Sequence, residues 1–271
     1  MVALDLPPDA GVVIHELTGG NVAHLEPFLE LFVETFPQYA FRVPRLRRNA
    51  ERPAAQGRFI EHQWLVELEG EPAAMTTFKY APHRNLGLGI HLAVHPRYRK
   101  RRAGPYPRLS ALIVAGTRAQ VAADARAVGN PLPLGYLAEV EHHQLVARYQ
   151  EYGFVELPID YHEPSLPPGS PESAARNLDN LQFQRMYLGI FPLAGPEAAL
   201  FDAAFLHTAT LAFLVDYHQL PEAHWAVQRA LHSIPELRGE MTSLKKLGNL
   251  TPRRKDAKNF KLLINFDYEK H

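Results

Sequence analysis

Apolar residues recur along this chain in two rhythms, and the switches between them divide it into elements. Val12 to Leu17 is a short apolar run that predicts a strand. Val22, Leu25, Phe28, Leu29, Phe32, Val33 and Phe36 then recur at three- and four-residue steps, which predicts a helix with one apolar face. Trp64 to Glu69 and Pro72 to Tyr80, joined at Gly70-Glu71, predict a hairpin. A further apolar run ends at Leu92-Ala93-Val94-His95-Pro96, where the proline has no amide hydrogen to continue a ladder. Pro107 to Val128 returns to helical period through Leu109, Leu112, Ile113, Ala119 and Ala123, and Gly129-Asn130-Pro131 stops it. Leu134 to Val140 reads as a buried strand. Val155 to His162 and Leu181 to Leu188 are strand-like, and Glu163 to Pro171 between them is too rich in proline for a packed element.

From Pro196 the pattern is helical. Ala198, Leu200, Phe201, Ala204, Phe205, Thr208, Leu211, Ala212 and Val215 give a wide apolar face, and Pro221 and Pro235 predict two further helix starts. Phe260, Leu262, Ile264, Phe266 and Tyr268 then alternate with Lys261, Leu263, Asn265 and Asp267, a period-two strand. A lone strand is not stable by itself, so it is expected to join a sheet in this chain or in a second copy, which would make a homodimer through this C-terminal extension.

The densest chemistry lies between the run at Ala93-Val94 and the helix that follows. Pro105 and Pro107 are expected in the first helical turn, where missing donors are tolerated. The free amides and positive dipole end of that helix attract phosphate, and Arg97, Arg99, Lys100, Arg101 and Arg102 add full charges to the same anion. A solvated basic turn is the plainer alternative for the charges alone.

Val94-His95-Pro96-Arg97-Tyr98-Arg99 and Arg99-Lys100-Arg101-Arg102-Ala103-Gly104 resemble the fourth strand and phosphate loop of the GNAT superfamily of acyl-CoA-dependent N-acetyltransferases. That strand commonly reads Val-x-Pro-x-x-Arg, and the loop Arg/Gln-x-x-Gly-x-Gly/Ala. Arg102 stands where the first family glycine would be, a substitution expected to crowd the turn and shift anion binding from backbone amides toward guanidinium groups. A second segment, Ala147-Arg148-Tyr149-Gln150-Glu151-Tyr152-Gly153-Phe154, resembles the end of the family helix after strand five, where a tyrosine precedes a Gly-Phe pair by four residues.

The resemblance spans roughly residues 10 to 190 and implies an α+β (mixed α/β) fold. Its central mixed sheet would carry helices on both faces, here followed by a mainly helical C-terminal extension ending in a strand. Residues 1–190 would form the acyltransferase domain and 191–271 the extension. The implied activity is transfer of an acetyl or other acyl group from acyl-CoA, with acetyl-CoA as co-substrate and no metal, to a primary amine on a small molecule or peptide. Ala93, Val94, Arg99, Lys100, Arg101, Arg102, Ala103 and Gly104 would hold the co-substrate. His142, seven residues before Tyr149, would lie near the pantetheine arm, where the family often has asparagine. Tyr149 would protonate or hydrogen-bond the leaving sulfur, a task suited to a phenol with a pKa near 10. Its alternative is a half-buried wedge between helix and sheet.

The base is open at this level. Leu88 stands where many members carry a glutamate, so His91 is the nearest replacement, provided that the strand bulges and turns it to the right face. Glu139 and Glu141 are the other candidates, and alternation lets one face the acceptor. Ordered water could also serve. Two rival readings remain: a catalytically degenerate acyl-CoA-binding or interaction protein, favoured by the missing glycine and glutamate, and an acyltransferase fed by acyl-carrier protein, favoured by the arginine clusters.

Composition limits these readings. At 271 residues and 46% hydrophobic content the chain buries one substantial core, with or without a small satellite. It has no cysteine, which excludes thiol catalysis, disulfides and thiolate metal sites. No apolar run suggests a membrane span and no leader is evident, so a cytoplasmic setting without membrane contact is expected. The formal charge is zero but uneven, with Arg42, Arg45, Arg47, Arg48, Arg52 and Arg58 in one cluster and Arg253, Arg254, Lys255, Lys258 and Lys261 in another. Nucleic acid ranks below an amine acceptor, because these clusters lack regularly spaced stacking aromatics. His142-His143 does not suggest a metal site, since adjacent helical residues diverge by about 100 degrees.

Overall fold

The computed structural model describes residues 11–235, apart from 168–169, 172, 175–176 and 194–196. Contacts divide the chain after Ile234, and the fold described here is that of the first unit. The predicted helix at Pro235, the alternating strand at 260–268 and the Arg253 to Lys261 cluster lie outside the described residues.

Among the described residues nine strands form one sheet: β1 (Val12–Glu16), β2 (Ala55–Gln56), β3 (Phe59–Leu68), β4 (Glu71–Ala81), β5 (Leu86–Val94), β6 (Gly135–Val140), β7 (Val155–Glu156), β8 (Tyr161–Ser165) and β9 (Gln182–Pro192). Their order is β1-β3-β4-β5-β6-β9-β7, with β2 on β3 and β8 on β9. β5 and β6 run parallel, and the other pairs are antiparallel. The helices are α1 (Leu25–Thr35), α2 (Val43–Ala50), α3 (Leu109–Ala127), α4 (His143–Gln150), α5 (Ala203–Leu211) and α6 (Trp225–His232). A π-helical segment, Ala212–Tyr217, extends α5.

The predicted hairpin is present, with β3 beginning five residues earlier than its apolar run. Glu69 and Gly70 both have positive φ, 58° and 80°, as a two-residue turn matched to strand twist requires. In α1 Leu25, Phe28, Leu29, Leu31 and Phe32 face inward, and Leu31 takes the place the pattern assigned to Val33, which is exposed. α3 starts at Leu109, so Pro105 and Pro107 lie in the loop before it and not in its first turn.

Two corrections fall in the segment read as strand, proline loop, strand. Val155 to His162 is broken, with Pro158 between β7 and β8. Glu163 and Pro164, assigned to an unpacked stretch, belong to β8 and pair with Gln184 and Phe183 of β9. Proline lacks a ladder donor and is tolerated in such a flanking strand.

The sheet carries helices on both faces. Leu65, Met75 and Ala93 meet α1 and α2 on one face, and Leu206, Phe213 and Val227 of the last helices cluster with Leu88, Leu137 and Ile190. On the other face Trp64, Phe78 and Tyr80 pack with Val114 and Val121 of α3 and Val146 of α4. Side chains alternate along a strand, so each strand feeds both cores.

Candidate active site

The site begins where the parallel pair opens. β5 and β6 are paired only from Gly87–Tyr136 to Gly89–Ala138. At that point β5 bulges: Thr77 of β4 stands opposite His91, the next residue Phe78 stands opposite Gly89, and Ile90 is left over. Gly89 permits this closeness, since a Cβ there would come within 2.3 Å of the Tyr136 hydroxyl. Past the bulge, β5 has no strand partner on the β6 side among the described residues, and a cleft opens between the strands. Gln38, Tyr39, Ile90, His91, Glu139, Tyr149 and Glu163 are among its lining residues.

The bulge turns His91 to the face of Leu88, as the base assignment required. Its ring is engaged on both nitrogens. Arg42 Nη1 lies 3.1 Å from Nε2, and Thr77 Oγ1 lies 2.7 Å from Nδ1. Guanidinium groups only donate, so Nε2 accepts and Nδ1 carries the hydrogen. Burial, then Arg42, Arg45 and Lys79, push this imidazole well below its ordinary pKa. Its one lone pair is occupied by a cation, so this arrangement does not offer His91 as the base. It orients Arg42.

Glu139 and not Glu141 is the inward member of the β6 pair. Its Oε1 accepts from the Tyr161 hydroxyl and lies 2.9 Å from His218 Nε2. Glu141 is exposed and accepts from Gln184 Nε2 at 3.2 Å. Glu163, unforeseen from the sequence, is buried on the cleft wall, and its carboxylate has no hydrogen bond or ion pair among the described residues. Burial raises its pKa well above the carboxylate range, the Glu139 charge adds to this, Arg42 opposes it, and Glu141 contributes further. Carboxylate and imidazole atoms of Glu139, Glu163 and His218 all lie within 4.8 Å of one another, a set of donors able to hold a cation.

Tyr149, on α4, packs edge-on against Phe154 and Phe191. Its hydroxyl has no hydrogen-bond partner among the described residues, and the residue lines the cleft. Burial, reinforced by Tyr152 and opposed by Arg148, lifts this phenol to about 12. A neutral phenol with a free O–H is the state required of a proton donor.

The cationic loop leaves β5 and enters α3, whose Val114 also lines the cleft. Ala93 is buried against α1, and the Val94 carbonyl accepts from Arg99 Nε at 3.2 Å. Arg101 is paired with Glu69. Ala103 and Tyr106 exchange backbone bonds of 3.1 and 3.0 Å, which spends the Ala103 amide. The amides of Lys100, Arg102 and Gly104 have no acceptor among the described residues, and Gly104 sits at φ 55°. Three alternate N–H groups are thus left free in a loop of exposed arginines, despite the replaced glycine. His142 is exposed at the start of α4, 3.6 Å from Glu141, and lies outside the cleft lining.

The C-terminal helices complete the site, which nothing in their sequence announced. The π-helical turn is closed by a bond of 2.8 Å from His218 N to Phe213 O, and it delivers His218 to Glu139.

No protein-family model and no curated protein matches the sequence. Among solved structures, a GNAT-family acetyltransferase from Bacteroides thetaiotaomicron is similar at 19% identity and a TM-score of 0.45, over 75% of this chain and 97% of that one. A GNAT-family acetyltransferase from Streptococcus pneumoniae follows at 15% and 0.44, over 68% and 99%. An acetyltransferase from Bacillus subtilis in complex with CoA stands at 13% and 0.40, over 68% and 99%.

Proposed function

We propose that the chain transfers an acyl group from an acyl-CoA thioester, acetyl-CoA in the simplest case, to a primary amine. One observation carries the reading: a single cleft, opened by the β5 bulge, presents a free phenol and an unpartnered buried carboxylate to the same space. The amine nitrogen attacks the thioester carbonyl carbon and the carbon–sulfur bond breaks. Tyr149 gives its proton to the departing thiolate. Beforehand Glu139 with His218 holds the ammonium, and one proton passes from it to Glu163, whose raised pKa makes it a stronger base than an ordinary carboxylate. This frees the nitrogen lone pair for attack, and the second nitrogen proton, lost after attack, restores the Tyr149 phenol. The free amides of Lys100, Arg102 and Gly104, with Arg99 and Lys100 side chains, would take the pyrophosphate.

The test is thiol release from acetyl-CoA across a panel of amines, with Tyr149→Phe as the variant. The substitution keeps the ring and removes only the hydroxyl, so turnover should fall about 10²-fold with little change in stability. A phenylalanine variant at full rate would assign Tyr149 to packing. One feature favours the rival reading of a non-catalytic acyl-CoA binder: the Ala103 amide is spent on Tyr106. Saturable CoA binding without thiol release for any amine would select that reading.

A further inference from the structure

Ile90 and His91 border two cavities. Beside them, between the sheet, α2 and Tyr217, lies a second, smaller hollow. Arg42, Arg45 and Lys79 line it against one carboxylate, Glu61. That carboxylate is already committed, with Lys79 Nζ on one oxygen and Asn49 Nδ2 at 2.7 Å on the other. Of the two arginines, Arg42 feels the charges of Glu163 and Glu139 from the cleft without pairing with either, and Arg45 has no ion pair among the described residues. Arg42 spends one N–H on the neutral His91 ring and stacks over Tyr39 at 4.6 Å. Arg45 has no hydrogen bond or ion pair among the described residues. The crowding is felt locally: burial lowers Lys79 to about 8 against the pull of Glu61, and Arg45 and Arg42 push the same way.

Partly buried guanidinium groups that keep their N–H donors unspent are a receptor for a planar anion. Desolvating like charges without a partner is unfavourable, and an arriving anion relieves it. On the other side of Ile90 and His91, the Glu139, Glu163 and His218 set suits a cation. Resting on the acyl-transfer reading, we propose that the acceptor is an amino carboxylate, its carboxylate held by Arg42 and Arg45 and its amine extended past Ile90 and His91 to Glu163. A carboxylate is matched by the planar forks of the two guanidinium groups, and a phosphate monoester is the competing anion in the test.

Calorimetric titrations of the full chain with L-leucine, β-alanine and 4-aminobutyrate, each against its carboxamide, test this directly, with O-phosphoethanolamine as the phosphate arm. At least one acid should bind tenfold or more tightly than its amide. Arg42→Gln and Arg45→Gln should each erase most of that margin while acetyl-CoA affinity stays unchanged, and in the thiol-release assay the loss should appear in KM and not in kcat. Arg45→Gln keeps the test valid if Arg42→Gln fails to fold, since Arg45 makes no hydrogen bond or ion pair among the described residues. Equal binding of acids and amides, preference for O-phosphoethanolamine, or variants that weaken acetyl-CoA instead would each overturn the proposal. Acid-selective binding without thiol release would leave the anion site standing and sink the acyl-transfer reading, and thiol release without acid selectivity would do the reverse.

Discussion

His62 and His91 are both buried in the middle of the sheet, on β3 and β5, yet the two faces hold them in opposite charge states. On the α3 face His62 lies between two carboxylates, Glu16 Oε2 at 2.6 Å and Asp124 Oδ2 at 3.0 Å. Burial works against its charge, but the hydrogen bonds to Asp124 and Glu16 outweigh burial and lift the ring to about 9. The partners are themselves satisfied: Glu16 also accepts from Trp64 Nε1 and from the amides of Thr18 and Gln63, and Asp124 accepts from Gln120. On the α2 face His91 has a cation on its lone pair and stays neutral. One face closes its electrostatics and the other leaves them open. A closed network fixes structure, whereas an open one keeps donors, acceptors and charge for a ligand.

The largest break in that contrast should come from Glu163→Gln. Removing the unpartnered carboxylate of the open face is expected to lower turnover at least 10²-fold, while the melting temperature holds or rises because a buried repulsion is gone. Unchanged thiol release would remove Glu163 from the chemistry. Next, His62→Gln in the closed face should cost about 3 to 5 kcal/mol of stability in a denaturant titration, because two buried carboxylates lose their shared cation. A cost below about 1 kcal/mol would mean that the ring is not charged there.

The pH dependence of stability sharpens the same point with a smaller effect. His62 is raised in the fold, so its contribution is complete below its unfolded pKa of 6.5 and is lost as pH rises toward about 9. Lys79 is depressed to about 8, and it acts in the opposite sense from there to its unfolded 10.5. Parent stability should therefore fall between pH 6.5 and 8, by up to about 2 kcal/mol at 1.36 kcal/mol per unit. The His62→Gln variant should be flat over that interval, and an equal slope in both proteins would refute the assignment. The smallest change is expected from His91→Gln, which keeps a neutral acceptor for Arg42 and should cost only about 1 kcal/mol. A loss of 3 or more would show that His91 carries charge in the fold.

The legible parts of this molecule are those whose chemistry is local in sequence. The β3–β4 hairpin, α1, the loop from Arg97 to Gly104 and the position of Tyr149 before Gly153-Phe154 all follow from spacing within a dozen residues. The bulge was legible only as a condition that His91 would need. What escaped depends on distant partners. Arg42 was one arginine in a basic run until the fold set it on His91, 49 residues away. His218 meets Glu139 across 79 residues. Glu163 was hidden by the prolines around it, which marked a loop by composition although β9 supplied the pairing that made it a strand. Replacing the family glycine with Arg102 predicted a crowded turn, yet the left-handed conformation falls on Gly104, so the free amides survive.

The π-helical segment after α5 has a consequence for how this site could change. A π turn holds one residue more than an α turn, so every residue after it is rotated by about 100 degrees relative to a regular helix. Tyr217 reaches the smaller hollow and His218 reaches Glu139 through that offset. Deleting a single residue from Ala212–Tyr217 would restore the regular period, preserve the apolar helix and swing both side chains out of phase with the site. The surroundings of Glu139 and of the smaller hollow can thus be remodelled by a change of helical register alone, with no substitution.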